Sequence, residues 1–278
     1  MSDYKTILVH YDAGKVAPVR LETAIEIANT LGSHIACLYA RSALPEPSAG
    51  YEATQIIHEA QQRMRAEMLA EAQRSYGESL RRTGFERSEW RASGADALGV
   101  VALHARYADL VVIGQQNSQW PSGVHRDFER SLPVAAGRPV LVVPYAYERR
   151  PVGRQVLVAW NASREAARAV NDALPFLKRA SQVHVVAFDP AQAGAAYGEE
   201  PGADVALYLT RHGVKVTVSR YGASDLDVGS QLLSRAFDLS ADLIVMGAWG
   251  HSRLREFMLG GVTRTLFESM TVPVLMSH

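Results

Sequence analysis

The chain has 278 residues and a balanced charge, with 29 basic and 29 acidic side chains. This length allows two domains of ordinary size, and the absence of net positive charge gives no support to nucleic-acid binding. Cys37 is the single cysteine, so an intrachain disulfide is excluded and a reducing compartment is indicated. Neither a signal-peptide pattern nor an apolar run of the ~20 residues that a membrane span needs is present. We therefore expect a cytoplasmic protein that binds neither nucleic acid nor membrane.

The first half of the sequence alternates strand patterns with helix patterns. Short apolar runs predict strands, and apolar residues spaced three and four apart predict amphipathic helices. The predicted strands are Thr6–Asp12, His34–Tyr39, Trp90–Ala92, Ala108–Gly114 and Pro139–Val143. The predicted helices are Val19–Leu31, the long charged segment Glu52–Arg82, Ala95–Arg106 and Glu129–Ala136. This order predicts a parallel sheet that is covered by helices on both faces.

The same order of elements begins again after a linker at Tyr145–Arg154. The predicted strands are Gln155–Asn161, Gln182–Phe188, Val214–Val218, Ala241–Gly247 and Pro273–Met276, and the predicted helices are Ser163–Leu177, Asp225–Phe237 and one that begins near Gly260. Residues 241–247 match residues 108–114 almost one for one. The first half is longer before its fourth strand, and we assign the extra residues to the long charged helix. The carboxylates Glu199, Glu200 and Asp204 lie in a Gly/Ala-rich stretch that we expect to be a loop.

A glycine-rich segment follows the fourth strand of the second half. Gly247 and Gly250 come after the apolar run Leu243–Met246, and the pair Gly260–Gly261 precedes a helical pattern. Glycines let a ligand approach the main chain, and the free amides and dipole of a helix N-terminus attract phosphate. The segment therefore predicts an anion site. Glycines that only make turns are the alternative explanation.

These motifs resemble the universal stress protein family over nearly the whole chain. The resemblance rests on the tandem halves, on Gly-x-x-Gly followed after nine residues by Gly-Gly-Val-Thr at 260–263, and on Val-Pro-Val-Leu-Met at 272–276. It implies an α/β fold of two tandem, doubly wound, five-stranded parallel-sheet domains of the Rossmann-like, adenine nucleotide alpha hydrolase type, at residues 1–146 and 153–278. It also implies that the two fifth strands pair as an intramolecular pseudo-dimer. Whether two chains form a homodimer stays open.

In the nucleotide-binding branch of this family, the glycine loop holds the phosphates of ATP, a residue after the first strand contacts the nucleoside, and the end of the second strand lines the adenine pocket. The resemblance therefore implies a site for ATP or another adenine nucleotide, with or without Mg²⁺, in the second half. Its expected residues are Asn161, Ala187, Phe188, Met246, Gly247, Gly250, Gly260, Gly261, Val262 and Thr263. His251 and Arg253 are further candidates for phosphate contact, with a solvated loop position as the alternative for each.

The two halves differ at the positions that the resemblance marks. Asn161 stands where the family usually has Asp, and Gly261 stands where Ser or Thr is usual. The first half keeps Gly114 but has no glycine pair before its helix, and the carboxylates of Asp127 and Glu129 would repel a triphosphate. We therefore expect one nucleotide site per chain, in the second half, beside a structural or regulatory first half.

Three functions fit the sequence. The first is an ATP-binding universal stress protein that acts as a sensor or regulator in stress tolerance, with little or no catalysis. The second is a structural or interaction member of the family that binds no nucleotide. The third is an enzyme with adenylate chemistry or slow ATP hydrolysis. The sequence lacks Gly-x-Ser-x-Gly, Gly-Lys-Ser/Thr and metal-ligand spacings, and no carboxylate is spaced to orient His251, so we assign no catalytic or metal residue.

Overall fold

The computed structural model describes residues 3–12, 14–42, 51–117, 123–188, 202–222, 224–248 and 261–278. Its strands are β1 Thr6–Tyr11, β2 His34–Tyr39, β3 Ser88–Ala92, β4 Leu110–Gly114, β5 Val140–Val143, β6 Gln155–Ala159, β7 Gln182–Phe188, β8 Val216–Tyr221, β9 Leu243–Gly247 and β10 Val274–Ser277. Its helices are α1 Ala17–Leu31, α2 Tyr51–Thr83, α3 Ala97–Ala105, α4 Phe128–Ala135, α5 Arg164–Asp172, α6 Leu174–Leu177, α7 Ala203–Arg211, α8 Val228–Asp238 and α9 Gly261–Ser269. Among the described residues, no helix is both long enough and apolar enough to span a membrane.

All ten strands form one sheet in the order β3-β2-β1-β4-β5-β10-β9-β6-β7-β8. The strands of each half are parallel to one another, which confirms the predicted pair of doubly wound five-stranded units. The halves meet at β5 and β10, which run antiparallel with Leu141 opposite Leu275. The expected pairing of the fifth strands is thus present within one chain. The domain bounds 1–146 and 153–278 stay a prediction.

The apolar strand sequences are explained by burial on both faces of the sheet. Successive residues of a strand point to opposite faces, so Val9 joins one core layer and Leu8 the other. One layer lies under α1, α2, α5, α6 and α7, and the other lies under α3, α4, α8 and α9. Cys37 is fully buried in the first layer, as a small apolar side chain, and burial raises the pKa of its thiol.

Two predicted elements differ from the observed ones. The segment predicted as one helix after β6 is divided at Ala173 into α5 and α6, where Pro175 supplies no backbone N–H. The predicted loop around Asp204 was wrong, because Asp204 lies in the first turn of α7 and the apolar pair Val205 and Leu209 buries one helical face. Glu199 and Glu200 lie outside the described residues. The 33 residues of α2, against nine in α7, agree with the predicted extra length of the first half.

The repeated aspartate before the fourth strand fixes the start of the first strand in each half. Asp109 accepts hydrogen bonds from the amides of Lys5 at 2.7 Å and Thr6 at 2.9 Å. Asp242 accepts the equivalent bonds from the amides of Arg154 at 3.0 Å and Gln155 at 3.2 Å. The shared aspartate therefore has a structural role at the amino ends of β1 and β6, opposite the carboxyl ends where the candidate sites lie.

Candidate functional site

The second-half candidate residues gather at one edge of the sheet. Because β6 lies between β9 and β7, the carboxyl ends of these strands bring Asn161, Phe188 and Gly247 to the same edge. Asn161 is exposed, and its side-chain oxygen accepts a hydrogen bond from the Ser163 amide at 3.2 Å. Ser163 in turn caps α5 by accepting from the Ala166 amide at 3.1 Å. The Asn161 oxygen is thus engaged locally, although an amide oxygen has a second lone pair for a ligand.

The end of β7 carries an aromatic platform. Ala187 is fully buried, whereas Phe188 is half-buried and stacks on Tyr221 with ring centroids 5.7 Å apart. The guanidinium of Arg235 lies 4.3 Å from the Tyr221 ring centre, within range of a cation–π contact. Sequence reasoning missed Tyr221 and Arg235, because the predicted strand ended at Val218 and no motif marks either residue.

Gly247 is required by packing at the end of β9. A Cβ atom there would lie 2.6 Å from both the amide nitrogen of Ala166 and the carbonyl carbon of Glu165. These are backbone atoms of the first turn of α5, so they cannot swing away as a flexible side chain could. The close approach of α5 explains this glycine without a ligand, which is a reason that the sequence did not reveal.

Replacing Gly247 with Ala is expected to lower the free energy of unfolding by about 1–3 kcal/mol, the usual cost of overpacking a tight core. Gly261→Ala is the matched control, because no heavy atom of the described residues lies within 4 Å of the Cβ position there. Denaturant unfolding of both variants measures the difference. Equal stabilities would contradict the packing role of Gly247.

The start of α9 contains the remaining described candidates. Gly261 is exposed with open space at its Cβ position, Val262 is half-buried, and Thr263 is only 4% exposed. Met246, in the neighbouring strand, is 7% exposed. Asp227 at the start of α8 accepts a hydrogen bond from the Thr265 hydroxyl at 3.1 Å, which ties the two helix starts together. The candidates Gly250, His251, Arg253 and Gly260 lie outside the described residues.

The same edge of the first half holds a buried ion pair. Nη2 of Arg20 donates to Asp12 Oδ2 at 2.8 Å, and Nη1 donates to the His10 carbonyl at 2.6 Å. Arg20 is 2% exposed and Asp12 is 3% exposed. Burial alone would raise the pKa of Asp12, but the Arg20 guanidinium beside it holds that pKa below its usual value. The guanidinium also lies 3.0 Å from the Cβ position of Gly114, so it fills the end of β4.

His10 belongs to this buried network and carries no charge. Its Nε2 lies 2.9 Å from the Ala40 carbonyl oxygen, and its Nδ1 lies 3.3 Å from a nitrogen of Arg20. Since a guanidinium only donates, we assign the ring proton to Nε2. Burial lowers the pKa of His10 to about 4, despite the opposing effect of Asp12. His10 is therefore a neutral core residue at physiological pH.

Glu129 places a carboxylate at the start of α4. Its side chain is 4% exposed, and Oε2 accepts a hydrogen bond from the Gln116 amide, just after β4, at 2.5 Å. Burial raises the pKa of Glu129 to about 7, although this hydrogen bond and Arg130 favour the charged form. The first half thus supplies its own acidic group at the place where a ligand anion would meet the loop amide and the helix start.

The two halves can be compared position by position through the residues that their helices bury. Leu132 of α4 corresponds to Leu266 of α9, which places Glu129 opposite Thr263 and Asp127 opposite Gly261. In the same way Leu21 of α1 corresponds to Val170 of α5, which places Arg20 opposite Ala169. The charged positions of the first half are therefore uncharged in the second.

Only a small space remains beside the first-half ion pair. A cavity of about 10 Å³, bordered by Asp12, Arg20 and Gln115, has room for a single water molecule at most. Elsewhere in the described ranges, no group of three or more His, Cys, Asp or Glu side chains is arranged to hold a metal ion.

Comparisons with known proteins agree with this architecture. A universal stress protein from Archaeoglobus fulgidus DSM 4304 has a TM-score of 0.68 and 15% identity, over 99% of this chain and 96% of its own. A functionally unknown protein from Pseudomonas aeruginosa PAO1 has a TM-score of 0.58 and 15% identity, over 99% of this chain and 92% of its own. At such identities the likeness concerns the fold alone. No curated protein matches the chain.

The sequence itself matches a family model in both halves. The model of the universal stress protein family covers residues 3–131 and 153–278, which is most of the chain and leaves out the linker region. The first matched segment contains β1 to β4 and ends within α4, and the second contains β6 to β10. The chain therefore belongs to the universal stress protein family, as a member with two tandem domains.

Proposed function

We propose that the chain binds ATP, or another adenine nucleotide, at the carboxyl edge of its second domain and acts as a nucleotide-responsive regulator in stress tolerance. The first domain, at residues 1–146, takes no nucleotide and supports the second, at residues 153–278. The protein works in the cytoplasm, in keeping with its buried free thiol. ATP binds with or without Mg²⁺, and the protein acts as a monomer or as a homodimer.

The observation that carries this proposal is the contrast between the two helix starts. In the first domain Asp127 and the buried Glu129 occupy the first turn of α4 or its cap. In the second, Gly261 and Thr263 take those positions, and no described residue fills the space beside Gly261. A polyphosphate is repelled by the first arrangement, whereas an uncharged helix N-terminus attracts it.

Rapid hydrolysis is not part of the proposal. Among the described residues, Glu165 packs against Gly247, and its carboxylate is ion-paired with Arg164 at 2.5 Å. Burial would raise its pKa, but the hydrogen bond from Arg164 lowers that pKa below its usual value. A carboxyl group held in its ionised form by a guanidinium is a poor general acid, and its basicity is reduced as well. The site is therefore suited to binding more than to catalysis.

Calorimetric titration of the whole chain with ATP tests the proposal, with Gly261→Asp and Gly261→Ala as a matched pair. Wild type is expected to bind one ATP per chain. Because the Cβ position is open, both substitutions fit, but only the aspartate brings a negative charge to the helix start. At ~5 Å and an effective dielectric constant of ~20, one repulsive pair costs about 3 kcal/mol, or about a hundredfold in affinity. Equal affinities of the two variants would contradict the proposed phosphate position.

A second candidate function is an interaction protein that binds no nucleotide. Two observations favour it: the Asn161 oxygen is already used by the Ser163 amide, and Gly247 is explained by the packing of α5. Native mass spectrometry of the purified chain separates the two functions. A nucleotide-free protein that also gives no heat with ATP would establish the second.

A further inference from the structure

A separate cavity of about 290 Å³ lies in the first domain, between α2 and the carboxyl ends of β2 and β3. Its volume is that of about ten water molecules at ~30 Å³ each, near the lower end of the range for small-molecule sites. Tyr39 from β2, Ala92 from β3, and Met64 and Leu69 from α2 are among its lining residues. The cavity therefore combines ligand-sized volume with walls from three different elements.

This cavity is separate from the small cavity beside the buried ion pair, but it lies at the end of the second strand, where Tyr39 corresponds to Ala187 of the second half. Asp12, Arg20 and Gln115 border the much smaller cavity beside β1 and β4, and the two cavities share none of their described lining residues. The larger one is also independent of the second domain, since all its described lining residues lie between positions 39 and 94. An occupant of the larger cavity would therefore be bound by the first domain alone.

The walls are mainly apolar. Leu69, Ala92 and the ring of Tyr39 present carbon surface, and Tyr39 packs near Trp90 with ring centroids 6.1 Å apart. Met64 is 40% exposed at the helix face that borders the cavity. An occupant with a hydrocarbon or aromatic body would gain free energy by covering this surface.

Two guanidinium groups, from Arg41 and Arg65, border the same cavity, and no carboxylate is among its described lining residues. Three other arginines of α2 have acidic partners: Arg63 pairs with Glu59, Arg74 with Glu71 and Arg82 with Glu22. In the described part of the chain, Arg65 has no such partner, and Arg41 donates to the sulfur atom of Met68. Two positive charges beside apolar walls select a ligand with one anionic end.

Tyr39 adds a third polar group to this cavity, a hydroxyl that can donate. It is only 6% exposed, and its hydroxyl finds no hydrogen-bond partner among the described residues. A buried hydroxyl without a partner costs free energy, which is commonly recovered through water, an ion or a ligand. Arg41 and Arg65 can only donate and the Tyr39 hydroxyl can donate as well, so an acceptor such as a carboxylate complements them. The hydroxyls of Ser42 and Ser93, which also line the cavity, already accept hydrogen bonds from the amides of His125 and Ala95.

We propose that this cavity binds a small carboxylic acid with an apolar body, in its ionised form. The carboxylate lies against Arg41 and Arg65, and the body lies against Leu69, Ala92 and the Tyr39 ring. The proposal goes beyond nucleotide binding and does not depend on it, because the nucleotide edge is in the other domain.

Octanoate is a suitable probe, with 1-octanol as the uncharged probe of equal chain length. Calorimetric titration of the full chain is expected to give one octanoate per chain and at least tenfold weaker binding of octanol. Arg65→Gln, at an exposed position, and Arg41→Gln are each expected to weaken octanoate binding severalfold, and the two together at least tenfold. Met64→Trp is expected to obstruct the cavity. Arg63→Gln is the matched control on the same helix, because Arg63 does not line the cavity.

Thermal unfolding of each variant shows whether it is folded. If Arg41→Gln does not fold, Arg65→Gln alone still tests the proposal. Absence of octanoate binding by the folded wild type would overturn the proposal. So would equal binding of octanol, or an Arg65→Gln affinity equal to that of Arg63→Gln. Displacement of octanoate by ATP would also overturn it, since the cavity would then be part of a nucleotide site. Loss of ATP binding through Gly261→Asp with octanoate binding intact is the expected pattern.

Discussion

Replacing Arg20 with Met is expected to lower the free energy of unfolding by about 3–5 kcal/mol, the cost of leaving a buried charge without its partner. Asp12 is 3% exposed, and after the substitution it keeps the hydrogen bond from the Gly14 amide at 2.7 Å but has no positively charged partner within ion-pair distance in the described structure. Methionine keeps much of the length and apolar volume of the arginine stem. The loss should therefore come mainly from the uncompensated carboxylate.

Replacing Asp12 with Asn in the same chain is expected to restore most of that stability. Removing both charges of a buried pair is often neutral, because neither charge then has to be desolvated. The second domain carries the natural counterpart of this double variant, since Asn161 and Ala169 occupy the corresponding positions. Denaturant unfolding of the wild type, both single variants and the double variant forms a complete cycle. A double variant as unstable as the sum of the single losses would contradict a charge-pair explanation.

Glu129→Gln is expected to remove a pH dependence of stability. Burial raises the pKa of Glu129 from 4.5 to about 7. Between these two pH values the carboxyl group is mostly protonated in the folded chain and mostly ionised in the unfolded chain. Stability due to this group is therefore full below about pH 4.5, falls as the pH rises towards 7, and is lost above it. The total change is about 3 kcal/mol at 1.36 kcal/mol per pKa unit. The variant should be more stable than wild type at pH 8 by up to this amount.

At pH 5 the two proteins are expected to differ little, because most of the Glu129 carboxyl group is then protonated in the folded wild type. Glutamine can still accept the Gln116 hydrogen bond through its side-chain oxygen. Glu86→Gln, at an exposed position, controls for the loss of one acidic group. Urea unfolding at pH 5 and pH 8 gives the comparison. A stability difference that is the same at both pH values would show that Glu129 does not titrate in this range.

The sheet could be predicted from the sequence because its strands are buried on both faces. Such burial demands uninterrupted apolar runs, as in Leu110–Gly114, and the duplication allowed each half to support the assignment of the other. The linker and the pairing of the fifth strands followed from the repeat and the family resemblance. Asp204 was assigned wrongly because the Gly/Ala-rich stretch before it masked the short apolar face of α7.

The internal charges of the first domain could not be predicted in the same way. Arg20 lies within an apolar helix, and nothing in its spacing indicates that it turns towards Asp12. The contact of Glu129 with the Gln116 amide depends on how a strand end and a helix start meet in space. The sequence did show that acidic residues replace the glycine pair. Their consequence, a helix start supplied with its own carboxylate, needs the three-dimensional arrangement.

The antiparallel contact between β5 and β10 has a geometric consequence for ligands. Because each half-sheet is parallel and the second runs opposite to the first, their carboxyl ends point in opposite directions. The cavity between α2 and the ends of β2 and β3 therefore opens on one side of the molecule, and the proposed nucleotide edge of the second domain opens on the opposite side. Between them, the buried Gln115 side chain spans the domains by donating to the Phe267 carbonyl of α9 at 2.7 Å and accepting from the Tyr145 amide. One chain can thus meet two ligands from opposite sides without steric competition.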